Sequence, residues 1–221
     1  MNVLGIDTAT PSSSVALLRA HGQLSERRDT PAAGSRGEHS ERVLLLAAEL
    51  LDQAGLDWAE LDLIGVGIGP GGYTGLRIGI ATARGLARAH GAALTGIGTL
   101  RALAEPVAGG AALALLDARR SELFAAAYEN DVELLAPCVI GPSELAATIG
   151  ELGGVALRAV GDGALARRRE LASLAVDVPQ DGSPLHRVSA AAICRLAVRD
   201  PGRAVEPLYL RRPDAELALG Q

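Results

Sequence analysis

Between Ile64 and Gly79 the chain reads IGVGIGPGGYTGLRIG, with seven glycines in sixteen residues. The block follows an apolar, strand-like run and leads into a helix-like one. Glycine serves where the backbone needs a positive φ, or where another backbone or a ligand must come very close. Each glycine also gives up conformational entropy on folding, so such density implies a geometric demand. Three demands compete: a dinucleotide, a phosphate, or a second packed surface.

Gly67, Gly69 and Gly72 satisfy the spacing G-x-G-x-x-G between a strand and a helix. A dinucleotide site also calls for an acid at the end of the next strand, about 20 residues on. That strand, 93–97, runs into Gly96-Ile97-Gly98-Thr99, and the first acid after it is Glu105. All 21 basic residues are arginine, so no P-loop lysine, Schiff-base lysine or lysine nucleophile exists. A phosphate could still lie on the N-terminus of the following helix, where free N–H groups and the dipole attract anions. The nucleotide-proximal set for that reading is Asp7, Gly71, Gly72, Thr74 and Asp117. Asp7 and Asp117 each end an apolar strand, where ligand sites of α/β folds commonly lie. Equally, each carboxylate could accept backbone N–H bonds from the turn that follows it.

The packing demand rests on spacing. Gly75, Gly79, Ala83 and Ala87 recur every four residues and leave one stripe of a helix as nearly bare backbone. Such a stripe lets a neighbouring element approach unusually close. The companion helix, expected over 38–55, is apolar almost all round from Val43 to Leu51, with Glu49 its only charge there. A helix covering one face of a sheet is amphipathic; one apolar on two faces expects a second partner. His39, Val43, Leu46, Leu50, Gly75, Gly79 and Ala83 are therefore expected to line a partner or dimer interface. For His39, a polar residue in a first helical turn is the alternative to a catalytic role.

Other chemistry is poorly served. The net charge of −5 excludes a wholly electrostatic nucleic-acid binder, leaving Arg167, Arg168 and Arg169 as a solvated helix face or a local patch. Cys138 and Cys194 stand far apart, outside any C-x-x-C spacing, as reduced thiols of a cytosolic protein do. The four histidines form no H-x-x-x-H or H-E-x-x-H pair, so no metal site is expected. Ser12, Ser13 and Ser14 read as a hydroxyl-rich turn, without the G-x-S-x-G elbow that activates a serine. No apolar run approaches 18 residues, and MNVLGIDTAT reads as a strand, not a signal peptide, so neither membrane span nor export is expected.

Along the 221 residues, strands are expected at 2–7, 13–19 and 23–29, then a loop at 30–37. A helix over 38–55, a strand at 61–66 and a helix over 74–90 complete a βββαβα order. After a strand at 93–97 and a helix near 100–105 the pattern restarts. Ala112–Asp117 again runs apolar into an aspartate, 121–128 and 132–140 again resemble a hairpin, and 155–161 leads into Gly161-Asp162-Gly163 and a helix-like ALARRREL. Two α/β lobes of similar design, 1–105 and 106–221, follow as the expected organisation.

Several of these segments resemble the TsaB family, also called YeaZ: Asn2–Thr10 (NVLGIDTAT), Gly37–Arg42 (GEHSER), Gly69–Gly79 (GPGGYTGLRIG), Leu116–Arg119 (LDAR) and Glu206–Arg211 (EPLYLR). The glycine block with LRIG is the most specific of them. The family usually has Ser then Phe where this chain has Gly72 and Tyr73; the tyrosine keeps an aromatic plug, and the glycine loses one hydroxyl cap. The resemblance implies an actin-like, Hsp70-like (ribonuclease H-like) duplicated fold. It implies a bacterial cytoplasmic protein that pairs with the paralogue TsaD and the ATPase TsaE to form N6-threonylcarbamoyladenosine beside the anticodon of tRNAs reading ANN codons. It further implies that TsaD holds the metal, the nucleotide and the transfer chemistry, and that this chain is a supporting, non-catalytic subunit binding no cofactor alone. In the absence of TsaD, the helix pair is expected to form a homodimer. The rival reading from the residues themselves is an ATP-dependent phosphotransferase or ATPase using Asp7, Asp117 and the glycine loops.

Overall fold

The computed structural model describes residues 1–31 and 39–211. By its internal packing the chain forms two units, Met1–Ala102 with Val188–Leu208 and Leu103–Arg187 with Tyr209–Gln221. The first contains β1 (Val3–Asp7), β2 (Ser13–Leu18), β3 (Leu24–Asp29), α1 (His39–Ala54), β4 (Leu63–Gly69), α2 (Tyr73–His90) and β5 (Ala93–Gly98). A helix from the end of the chain, Ala190–Arg199, completes it.

Its sheet runs in the order β3-β2-β1-β4-β5. The hairpin-connected strands β1, β2 and β3 pair antiparallel, while β4 joins β1 and β5 joins β4 in parallel. Side chains alternate across a strand, so the two faces of β1 and β4 have different covers. Leu4, Ile6, Ile64 and Val66 pack with Val43, Leu46, Ala47, Leu50 and Leu51 of α1 and with Ile80, Ala83 and Ala87 of α2. On the other face Gly5 and Gly65 leave a trough for the helix 190–199. A Cβ on Gly65 would stand 2.9 Å from both the Ala197 Cβ and the Ile193 Cγ2. Helix α2 ends on Gly91, whose φ of 74° makes a left-handed cap, with Arg88 and His90 in the last turn where the dipole favours cations.

The second unit begins with the end of a helix at Thr99–Ala104, α3, and continues through β6 (Ala111–Asp117), β7 (Leu123–Glu129), β8 (Val132–Ile140), α4 (Leu145–Glu151), β9 (Leu157–Val160), α5 (Asp162–Ala166) and α6 (Arg168–Ser173). Its sheet order is β8-β7-β6-β9, with β9 parallel to β6. The βββαβα succession of the first unit is repeated. Leu113, Leu115, Ala125, Leu145, Ala159 and Leu171 form its core.

Four elements depart from the sequence reading, the first being α4, where no helix was assigned. Strand β4 runs to Gly69, three residues beyond its expected end at Val66, because β5 pairs alongside the first glycines of the block. The helix expected over ALARRREL is two short ones meeting at Arg167, whose φ of −108° interrupts the turn. Helix α7, Ala190–Arg199, was not anticipated. The loop expected at 30–37 falls mostly outside the described residues.

Candidate functional site

The glycine block opens at the C-terminal end of β4, beside the turn that follows β1. That turn fills the space the glycines leave. Cβ atoms placed on Gly71 and Gly75 would overlap the carbonyl oxygens of Ala9 and Thr8, and one on Gly79 would overlap Thr8 Oγ1. The contacts are held by hydrogen bonds: Gly72 N–H donates to Ala9 O at 2.7 Å, and Thr8 Oγ1 donates to Gly75 O at 2.7 Å. A helix N-terminus attracts anions through its free N–H groups. At the N-cap of α2 the Gly72 N–H is taken by the chain's own Ala9 carbonyl, and Thr8 is 1% exposed.

From the C-terminal side a strap, residues 203–208, crosses the ends of β4 and β5. Leu208 N–H donates to Ile68 O at 2.7 Å, and Arg84 Nη2 donates to Val205 O at 2.6 Å. Gly69, at a φ of 109° that side chains rarely adopt, would bring a Cβ to 2.8 Å from Leu208 O. Its N–H donates to Thr99 Oγ1 at 3.1 Å. Within this unit the glycines therefore meet β1's turn, α7 and the strap.

Asp7 is 1% exposed. Its Oδ1 accepts from Ala9 N–H at 3.2 Å, the capping arrangement weighed in the sequence, while Oδ2 has no hydrogen-bond partner among the described residues. Burial pushes its carboxyl up to about 7, against smaller opposing effects of the Ala9 N–H and Arg28. An acid in this position is not presented to a ligand at the loop. Of the remaining nucleotide-proximal residues, Gly71 is half-buried, Gly72 and Thr74 are exposed, and Asp117 belongs to the second unit. Asp117 is exposed and caps its own turn: its Oδ1 accepts from Arg119 N–H at 2.8 Å, and its N–H donates to Asp162 Oδ1 at 2.9 Å. Arg119, Arg120 and Ser121 then follow with φ of 67°, 51° and 64°.

The residues expected at an interface lie mostly inside the unit. Val43, Leu46, Leu50 and Ala83 are at most 6% exposed, and Gly75 and Gly79 are buried against Thr8. The bare stripe is covered by β1's turn and by the core between α1, α2 and the sheet. His39 is half-buried, with Nδ1 sharing a 2.8 Å hydrogen bond with Ser13 Oγ, and burial lowers its pKa. On the helix pair α1 and α2, the large apolar side chains left outside are Leu44 and Leu45 on α1, at 44% and 51% exposure, and Tyr73 at the start of α2, at 38%. The guanidinium carbon of Arg77 lies 4.1 Å from the Tyr73 ring centroid. Leu44 and Leu45 fall within the apolar run the sequence singled out; alternation of buried and exposed positions, which no spacing rule separated there, decides which of its members face outward.

Among the described residues no group of three or more His, Cys, Asp or Glu could hold a metal, and no helix is long and apolar enough to cross a membrane.

The model of the family described as TsaD, tRNA N6-adenosine threonylcarbamoyltransferase, matches residues 30–164. An uncharacterized protein of Mycobacterium tuberculosis is 33% identical over 216 residues, 97% of this chain and 93% of its own length. The tRNA threonylcarbamoyladenosine biosynthesis protein TsaB of Escherichia coli K12 is 36% identical over 140 residues, 59% of this chain and 56% of that one. The solved structure of YeaZ from Pseudomonas aeruginosa superposes with a TM-score of 0.75 at 26% identity, covering 95% of this chain and 99% of that one. The chain belongs to the TsaB/YeaZ family. Its two βββαβα units have the actin-like, ribonuclease H-like fold, shared also with the ROK hexokinase of Thermus thermophilus at a TM-score of 0.51 and 14% identity, a likeness of fold alone. In this TsaB/YeaZ member the loop between β4 and α2, the segment that most marks the family in the sequence, packs on β1's turn through Gly71 and Gly75, while Gly72, Tyr73 and Thr74 stay exposed.

Proposed function

We propose that this chain is a non-catalytic, cytoplasmic subunit of the bacterial assembly that forms N6-threonylcarbamoyladenosine next to the anticodon of ANN-decoding tRNAs. It docks on a TsaD-type paralogue, which carries the transfer chemistry, and works together with a TsaE-type ATPase. ATP and metal belong to those partner subunits in this reading, and tRNA is met through the assembly. The carrying observation is the contrast across the helix pair. The loop that would cradle a nucleotide is filled by Thr8 and Ala9, while α1 turns Leu44 and Leu45 outward.

Adjacent exposed leucines on a helix whose opposite face is already buried suit a protein partner. Val43, Leu46, Leu50, Gly75, Gly79 and Ala83 serve the surface from beneath, by fixing α1 and α2 on the sheet. Without the paralogue, a second copy of the chain takes the same face.

The test is co-purification of a tagged TsaD-type paralogue with the Leu44→Glu/Leu45→Glu variant. The double variant melts as the parent does and loses the paralogue by at least tenfold. Undiminished capture by a folded double variant would remove α1's outer face from the docking surface.

A further inference from the structure

Asp7 is a buried ionisable group that the proposed function does not use, and its surroundings are unusual for a carboxylate. Oδ2 lies in a slot made by strand β1, strand β4 and helix α7, with no hydrogen-bond partner among the described residues. A Cβ on Gly67 would overlap that oxygen and lie 3.7 Å from Ile193 Cδ1, so acid, bare backbone and apolar side chain share one space. An ionised carboxylate buried without partners is costly, whereas the neutral acid is tolerated.

The charged and titratable groups around the slot offer no rescue. Strand β3 presents Glu26 and Arg28, of which the glutamate opposes ionisation and the arginine favours it. Both are engaged elsewhere: Arg28 Nη2 donates to Glu26 Oε1 at 3.0 Å and to Val188 O at 2.6 Å, and Ser189 Oγ donates to Glu26 Oε2 at 2.9 Å. Strand β2 places Ser14 opposite Asp7, its hydroxyl donating to Glu26. Helix α7 brings Cys194, whose thiol burial pushes up to about 12 and keeps neutral, and Ile193. Strand β4 brings Gly65 and Gly67.

We propose that Asp7 is a proton-operated latch on helix α7: with a proton on its carboxyl the helix sits closed on the β1–β4 trough, and loss of that proton favours opening. The next two residues, Thr8 and Ala9, are those that grip α2, so the latch acts on the glycine loop as well.

The sign follows from linkage. Asp7 binds its proton more tightly when buried, with a value of about 7 against an ordinary 3.8. The stabilisation is complete below 3.8, is lost as pH rises towards 7, and changes no further above it. The experiment is hydrogen exchange of the 190–197 amides in the full chain between pH 5 and 7, corrected for intrinsic rates, in the parent and in Asp7→Asn. In the parent the opening equilibrium rises by up to about tenfold per pH unit relative to the variant, which cannot ionise there. Parallel profiles in the two proteins would overturn the latch. Should Asp7→Asn not fold, the carboxyl carbon resonance of Asp7 in the parent decides the matter: a midpoint above pH 6 supports the latch, and one below pH 5 refutes it.

Discussion

Thr8 is the residue on which the glycine block closes. Its carbonyl lies where a Cβ of Gly75 would go, its hydroxyl lies where a Cβ of Gly79 would go, and that hydroxyl is bonded to Gly75 O. Gly75→Ala is predicted to cost about 1–3 kcal/mol, since a backbone carbonyl cannot step aside. Gly79→Ala meets only a side-chain hydroxyl, so it costs less in a Thr8→Ala background than in the parent. Urea midpoints of the four proteins check this, and strict additivity would contradict the contact. Gly85 offers the opposite case: it is mid-helix and exposed, with nothing within 4 Å of a Cβ. Gly85→Ala is predicted to stabilise by about 0.5–1 kcal/mol through helix propensity and unfolded-chain entropy. The bare stripe Gly75, Gly79, Ala83 was legible in the sequence because helical period fixes which residues share a face. What lies opposite that face was not, because Thr8 is 67 residues away from Gly75 and period carries no long-range pairing.

At the level of elements, helix α7 decides how the first unit is closed and was the least legible. Its buried residues, Ala190 to Cys194 with Leu196 and Ala197, are mostly alanines, which mark a core less plainly than leucines do, although Arg195 and Arg199 give the helix a polar face. Local signals existed at both ends: Ser189 in the N-cap position and Asp200-Pro201-Gly202 as a stop. In the structure Ser189 Oγ accepts from Ala192 N–H at 3.3 Å and donates to Glu26 Oε2 at 2.9 Å. Ser189→Ala is predicted to cost about 1–2 kcal/mol, from the lost cap and the carboxylate left short of a donor. Thermal unfolding measures it; an unchanged midpoint would mean that α7 is held by its apolar face alone. The strands of both units were readable because most are short apolar runs ended by turn residues, with β3, LSERRD, a polar exception. The break at Arg167 was not, since ALARRREL has helical composition throughout.

For the whole molecule, two sequence properties and one structural property combine. The chain has no lysine and no metal-binding histidine pair, and its acid nearest the glycine loop is sealed away at 1% exposure. In the proposed function, a TsaB/YeaZ member built so supports chemistry carried out by another subunit. The family resemblance was legible because two of its motifs, NVLGIDTAT and GPGGYTGLRIG, meet at the loop, where Thr8 and Ala9 leave no room for a Cβ on Gly71, Gly75 or Gly79. The proposed docking face was legible only as a helix with surplus apolar surface, because exposure within the run Val43 to Leu51 depends on the tertiary fold. Reconstituted threonylcarbamoyl transfer to an ANN-decoding tRNA, with TsaD-type and TsaE-type partners, tests the account most directly. Modification is predicted to fall at least tenfold when this chain is omitted, and to be restored by the parent chain and equally by Asp117→Asn, which removes a carboxylate without touching the docking helices. Full modification in the chain's absence, or loss of it with a folded Asp117→Asn, would contradict a supporting, non-catalytic role.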